Sequence, residues 1–82
     1  MNTVSDYSDY NKSYLERKFF NDAQDSSLSD ANRLKLYFKV LILNKYNQEA
    51  IINARTICQG LSQSDVNSAR TDAQNEIINN IC

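Results

Sequence analysis

Apolar residues along this chain fall into one dense run and three sparser periodic stretches. The run is 34–43, Leu-Lys-Leu-Tyr-Phe-Lys-Val-Leu-Ile-Leu. At 100° per residue Lys35 and Lys39 share one narrow face, and apolar side chains fill roughly 260° of the remainder. A buried strand is the competing reading, because 36–43 is short and carries aromatic and β-branched residues. No other stretch reads as a strand, and a lone strand leaves its backbone donors and acceptors unpaired. The pattern therefore predicts a central helix that needs cover on several sides.

Ahead of the run, Tyr7, Tyr10, Tyr14, Leu15 and Phe19 recur at helical spacing and predict a helix over 8–21. The repeat Ser5-Asp6-Tyr7, Ser8-Asp9-Tyr10 offers candidate caps with acids in the first turn, where the helix dipole favours them. Residues 22–28 are polar, lack periodicity and read as a loop. Ser29 caps the central helix, 30–43, whose inward stripe is Ala31, Leu34, Tyr37, Phe38 and Leu41. The turn Asn44-Lys45-Tyr46-Asn47 is short enough to make the next helix an antiparallel neighbour.

Asn47 is a good N-cap for a helix over 48–59, with Ala50, Ile51, Ala54, Ile57, Cys58 and Leu61 inward and Ile52 off the stripe. Gly60, the one glycine, stands where a left-handed residue would end that helix. Ser62 as N-cap, Asp65 three residues on, and the pair Leu61 and Val66 read as a capping box with a hydrophobic staple, Ser64 being the alternative cap. A last helix over 63–80 turns Val66, Ala69, Ala73, Ile77 and Ile81 inward. Its two alanines allow close approach but bury little area.

The bulk composition narrows the class. Eighty-two residues with one Gly, no Pro and three Val favour a single all-α domain of three to four helices over 1–82. A domain of this size buries only about 60 to 65% of its unfolded surface, so help from a partner is expected. The polar, acidic start lacks the features of a secretory signal, and no run approaches the ~20 apolar residues that cross a bilayer. That predicts no membrane partner. Cys58 and Cys82 lack metal-ligand or redox-motif spacing, so Cys58 reads as a small core residue and Cys82 as a free thiol, in a cytoplasmic setting.

Catalysis has little to work with. There is no histidine, which removes the commonest general base and metal ligand, and one glycine cannot build a phosphate loop. Asp6, Asp9, Asp22, Asp25, Asp30, Glu49, Asp65, Asp72 and Glu76 are scattered over helix starts and loops, where capping explains them. Asp22-Ala23-Gln24-Asp25 has a superficial likeness to a calcium loop but lacks its central glycine and its closing bidentate glutamate. The chain is thus expected to be no enzyme and to have no cofactor and no metal site.

Recognition remains. A tyrosine face at Tyr7, Tyr10 and Tyr14 suits partner binding, because tyrosine brings a large apolar body and a hydroxyl that stays wet. The broad arc of the central helix leaves Leu36, Val40 and Leu43 to face another chain, so a homodimer across this helix is expected. A net charge of -1 argues against nucleic acid. A DNA-binding alternative would need Lys12, Arg17, Lys18, Lys35 and Lys39 to converge in a dimer groove. A second alternative is a phage- or plasmid-borne inhibitor of a host protein, for which the abundance of Asn, Ile, Lys and Tyr, suited to an AT-rich gene, is the compositional hint.

The arrangement of Phe19-Phe20, a polar loop, Leu28, the apolar helix 34–43, an asparagine-containing turn, Ile51-Ile52, and Cys58 to Leu61 leading into a last helix resembles the YmgB/AriR family of small biofilm-development proteins. The resemblance covers roughly 19–81. It departs from the family at Lys35, where a glycine is expected after the leucine, and at Ser62, where an acid is expected. What the resemblance implies is an all-helical dimeric connector that binds a signalling or transcription-regulating protein and has no catalytic residues to transfer.

Overall fold

In a computed structural model the backbone is described over residues 4–73 and 81–82, and the side chains over 11–70 and 81–82. Among these residues the chain is all-α, with four helices and no strand: α1 Val4–Ala23, α2 Asp30–Leu43, α3 Gln48–Gln59 and α4 Gln63–Ala73. α1 starts earlier than its tyrosine spacing predicts, so Ser5 and Ser8 lie inside the helix rather than capping it. The predicted continuation of the last helix over 74–80, with Ile77, lies outside the described residues, as do the side chains of Ala73, Tyr7 and Tyr10.

α2 is the hub against which α1, α3 and α4 each pack. Its start is set by Ser29, whose hydroxyl accepts from the Asn32 N–H at 3.3 Å, with Asp30 in the first turn. Leu34, Tyr37, Phe38, Val40 and Leu41 are fully or almost fully buried along it. Ala50 and Ala54 of α3, Val66 and Ala69 of α4, Ala23 and Ile81 close around them, with Phe19, Phe20, Ile51, Ile57 and Leu61 packed outside. Alanines at the contact faces of α3 and α4 let those helices approach α2 closely.

α1 lies antiparallel to α2, because rising numbers on one meet falling numbers on the other. Arg33 Nε donates to the Ala23 carbonyl at 2.8 Å, closing the end of α1. The Phe20 and Tyr37 rings meet edge to face at 5.8 Å. Lys39 Nζ sits 5.5 Å from the centre of the Phe19 ring, and Asn44 Nδ2 donates to Glu16 at 3.0 Å. All four contacts use residues 16–23 of the twenty-residue helix.

This packing corrects the place expected for Val40. Arg33, Tyr37, Val40 and Asn44 follow at i, i+4, i+7 and i+11, one face of a helix, and the other three all touch α1. Val40 has no exposed surface and is a core residue of the protomer rather than part of a face offered to a second chain. Leu36 and Leu43, its expected companions, are half-buried. Helical periodicity does not tell which side of α2 the first helix covers, and here that helix covers the side that holds Val40.

One local expectation at the end of α3 also changes, and one holds. Gly60 has φ -96° and ψ 0°, on the right-handed side, so it ends the helix without a left-handed residue. Its N–H donates to the Ile57 carbonyl at 3.1 Å and Leu61 N–H to Cys58 at 3.2 Å, a tightened last turn that satisfies carbonyls a left-handed cap would otherwise serve. Ser62 then caps α4, its hydroxyl accepting from Asp65 N–H at 3.2 Å. Val66 is buried and Leu61 half-buried beside that cap, as a staple requires.

The cysteines are joined. Cys58 and Cys82 form a disulfide with Cα atoms 6.1 Å apart, a separation natural for such a bond. The readings of Cys58 as an unmodified core residue and of Cys82 as a free thiol are therefore corrected. Sequence spacing carries no signal for a pair brought together by tertiary structure across 24 positions. Closing a loop of that size restricts the unfolded chain and contributes about 3 kcal/mol to stability.

Candidate protein-interaction surfaces

The best-defined polar site joins α1 to the turn between α2 and α3. Glu16 Oε2 accepts from Asn44 Nδ2 at 3.0 Å and from Asn47 Nδ2 at 2.9 Å. Each asparagine uses its other end on the backbone: Asn44 Oδ1 accepts from Tyr46 N–H and Asn47 Oδ1 from Ala50 N–H, both at 3.1 Å. One carboxylate thus orients two amides, and those amides shape the turn and cap α3. An open cleft of about 560 Å³ lies beside them, bounded by Ser13, Arg17 and Phe20 of α1 and by Gln48 and Glu49 of α3.

Sequence reasoning missed Glu16. It is an acid in mid-helix, where capping does not account for it, and two asparagines in one four-residue turn are the only signal that such a partner is needed. In chemical terms the cleft offers one cation, two anions, amides and an aromatic ring. These features suit recognition of a polar surface.

Large apolar side chains stay exposed at two places. Tyr14 is 59% exposed on α1, above a shallow groove shared with Arg17, Lys18, Asn21 and Asp22. It is the member of the predicted tyrosine face whose side chain is described. Ile42, Tyr46 and Ile52 are 44%, 73% and 59% exposed and lie near the end of α2, in the turn and on the second turn of α3 respectively. Ile52 stands about 200° around α3 from Ala50, on the side away from the core, and Lys45 Nζ lies 5.2 Å from the Tyr46 ring centre.

Several basic side chains are engaged locally. Lys18 pairs with Asp22 at 3.5 Å, and Lys39 lies over Phe19. Arg33 reaches Asp30 at 3.6 Å besides the Ala23 carbonyl. In the loop after α1, Asp25 accepts from the Ser27 hydroxyl at 2.7 Å and from the Ser27 N–H at 2.9 Å. These bonds, the hydroxyl first, hold its carboxyl below the ordinary aspartate value. They make it a turn-builder, which explains one of the two acids that give 22–25 its likeness to a calcium loop.

No helix among the described residues is long and apolar enough to cross a membrane. No protein-family model, no curated protein and no solved structure matches this chain.

Proposed function

We propose that the protein is a non-catalytic interaction module, a dimeric regulator or connector that binds a signalling or transcription-regulating protein through helical surfaces. The observation that carries this reading is the exposure of Ile42, Tyr46 and Ile52 around one end of the α2–α3 pair, with Tyr14 exposed on α1. Apolar and aromatic side chains of this size, set among polar residues, are what interface centres are made of. The absence of histidine from the sequence removes the usual routes to acid–base and nucleophilic catalysis. The partner class comes from the resemblance to the YmgB/AriR family and from nothing else.

With Val40 inside the protomer and Leu36 packed against its core, a homodimer would use Ile42, with the half-buried Leu43 beside it on α2. The tyrosine face, Tyr7, Tyr10 and Tyr14, is left to the regulatory partner. A cytoplasmic setting would keep Cys58 and Cys82 as thiols, whereas the disulfide form belongs to an oxidising one.

Light scattering coupled to size exclusion, over a wide concentration range, tests the dimer with Ile42→Glu/Ile52→Glu beside the parent chain. A parent dimer that the double variant breaks is the expected result. A parent that stays monomeric throughout refutes the dimer and leaves Tyr14 as the surface to pursue.

A further inference from the structure

We infer that the Cys58–Cys82 disulfide is a thiol-exchange site whose redox state sets how firmly α4 is closed onto α2. The inference does not depend on what the exposed apolar faces bind. It rests on three features of the bond's surroundings: access, a place for the reduced thiol, and the position of α4 inside the loop that the bond closes.

Access comes first. Cys82 is exposed, and the bond borders a cleft of about 260 Å³ that Arg55, Leu61, Val66 and Ile81 also line. The cleft gives an incoming thiolate a route to the bond from the side of Cys82. Arg55, a cationic residue lining the same cleft, favours the thiolates that attack and leave in such an exchange.

The reduced form is also provided for. Cys58 Sγ lies 3.3 Å from the Arg55 carbonyl oxygen, one turn back on α3. A reduced Cys58 thiol donates its hydrogen there, so breaking the bond leaves no polar group stranded.

The third feature is that α4 lies inside the loop that the bond closes, between Cys58 at the end of α3 and Cys82. Among its described side chains Val66 and Ala69 are buried, as is Ile81, next to Cys82. The sequence of α4, Gln-Ser-Asp-Val-Asn-Ser-Ala-Arg-Thr-Asp-Ala, is polar apart from one valine and two alanines. α1 and α2 lie outside that loop. The bond therefore acts as a clasp on one helix.

The reaction balances with a dithiol as reductant. Its first thiolate attacks Cys82 Sγ, the Cys58–Cys82 bond breaks, and Cys58 Sγ leaves as a thiolate that takes up a proton. The second thiol of the reductant, deprotonated, then displaces Cys82 Sγ, which is protonated in turn. Two electrons pass to the protein, which gains two thiols, and the dithiol becomes a disulfide.

Amide hydrogen exchange on the oxidised chain, on the chain treated with dithiothreitol without denaturant, and on the reoxidised chain tests this. Reduction is expected to speed exchange in Gln63–Ala73 by roughly 100-fold, reversibly, while the middle of α2 stays protected. Cys82→Ser, which alters an exposed position, should show the fast pattern with or without dithiol. Cys58→Ala should do the same. Three results would each overturn the inference: unchanged exchange in α4 after reduction, loss of protection across the whole chain together, or two free thiols in the air-oxidised folded protein.

Discussion

Glu16 and Asn47 are 31 positions apart and meet at 2.9 Å, carboxylate to amide, while the same asparagine caps α3. The bond therefore couples the placement of α1 to the start of α3 through one side chain. Glu16→Ala is expected to cost about 1 to 3 kcal/mol, since two amides lose a charged acceptor. Asn47→Ala should cost about 2 kcal/mol, from the cap and the bond together. In urea unfolding the two losses should fall short of additivity by about 0.5 kcal/mol or more in the double variant.

Asn47→Asp separates the two roles. Aspartate keeps the cap but sets a second carboxylate against Glu16. The variant should be less stable than the parent at pH 7 by about 1 kcal/mol or more. The deficit should shrink as acid protonates the pair, so the parent and variant unfolding midpoints converge toward pH 3.

Burial of Val40 makes a sharp contrast with its neighbours on α2. Val40→Ala should cost about 2 kcal/mol, and Val40→Glu enough to unfold much of the population, about 4 kcal/mol or more. Ile42→Glu, on the exposed side, should change monomer stability by no more than about 0.5 kcal/mol. Chemical denaturation of the three variants decides whether α1 covers Val40; a folded, stable Val40→Glu would show that it does not.

Gly60→Ala should stabilise the protein by about 0.5 kcal/mol. The φ of Gly60 is negative, and an added Cβ would meet the Ile57 carbonyl oxygen at 3.7 Å, an ordinary contact. The gain arises in the unfolded chain, which loses freedom when glycine becomes alanine. Thermal unfolding at fixed redox state is the measurement, and a loss of stability would mean that the turn needs the left-handed conformation after all.

The Asp25 carboxyl, held low first by the Ser27 hydroxyl and then by the Ser27 N–H, adds to stability above the ordinary aspartate value near 3.8. That contribution is lost as pH falls through the lowered folded value, because acid then protonates the folded state. Ser27→Ala removes the larger cause and should move the titration upward while leaving it below the ordinary value. Carboxyl titration by NMR reads this directly.

The helix starts were legible because caps are local. Ser29, Asn47 and Ser62 each announce a helix in a few residues, and each accepts the backbone N–H three positions on. The inward stripes of α2 and α3 were legible from a 3.6-residue period. Pairings across the chain were not. Nothing near Glu16 names Asn44 and Asn47, and nothing near Cys58 names Cys82. Val40 was misplaced for the same reason, since periodicity tells which residues want cover but not which neighbour supplies it. Of the candidate site, Tyr14 was legible as an amphipathic side chain on a polar helix, and Ile52 was visible as an apolar residue off its stripe. The exposure of Ile42 and Tyr46 depended on where α1 and α3 come to lie.

Because α1, α3 and α4 each rest on α2, the chain resembles three loads on a single beam. Lesions in different outer helices should sum in free energy where they stay away from the Glu16–Asn47 bond and the Cys58–Cys82 disulfide, while a lesion in the beam is felt by all three at once. Away from those two links an outer helix can be remodelled without renegotiating the other two. Change is therefore least tolerated at the buried positions of α2, Leu34, Tyr37, Phe38, Val40 and Leu41, where a substitution is felt by every helix that rests on it.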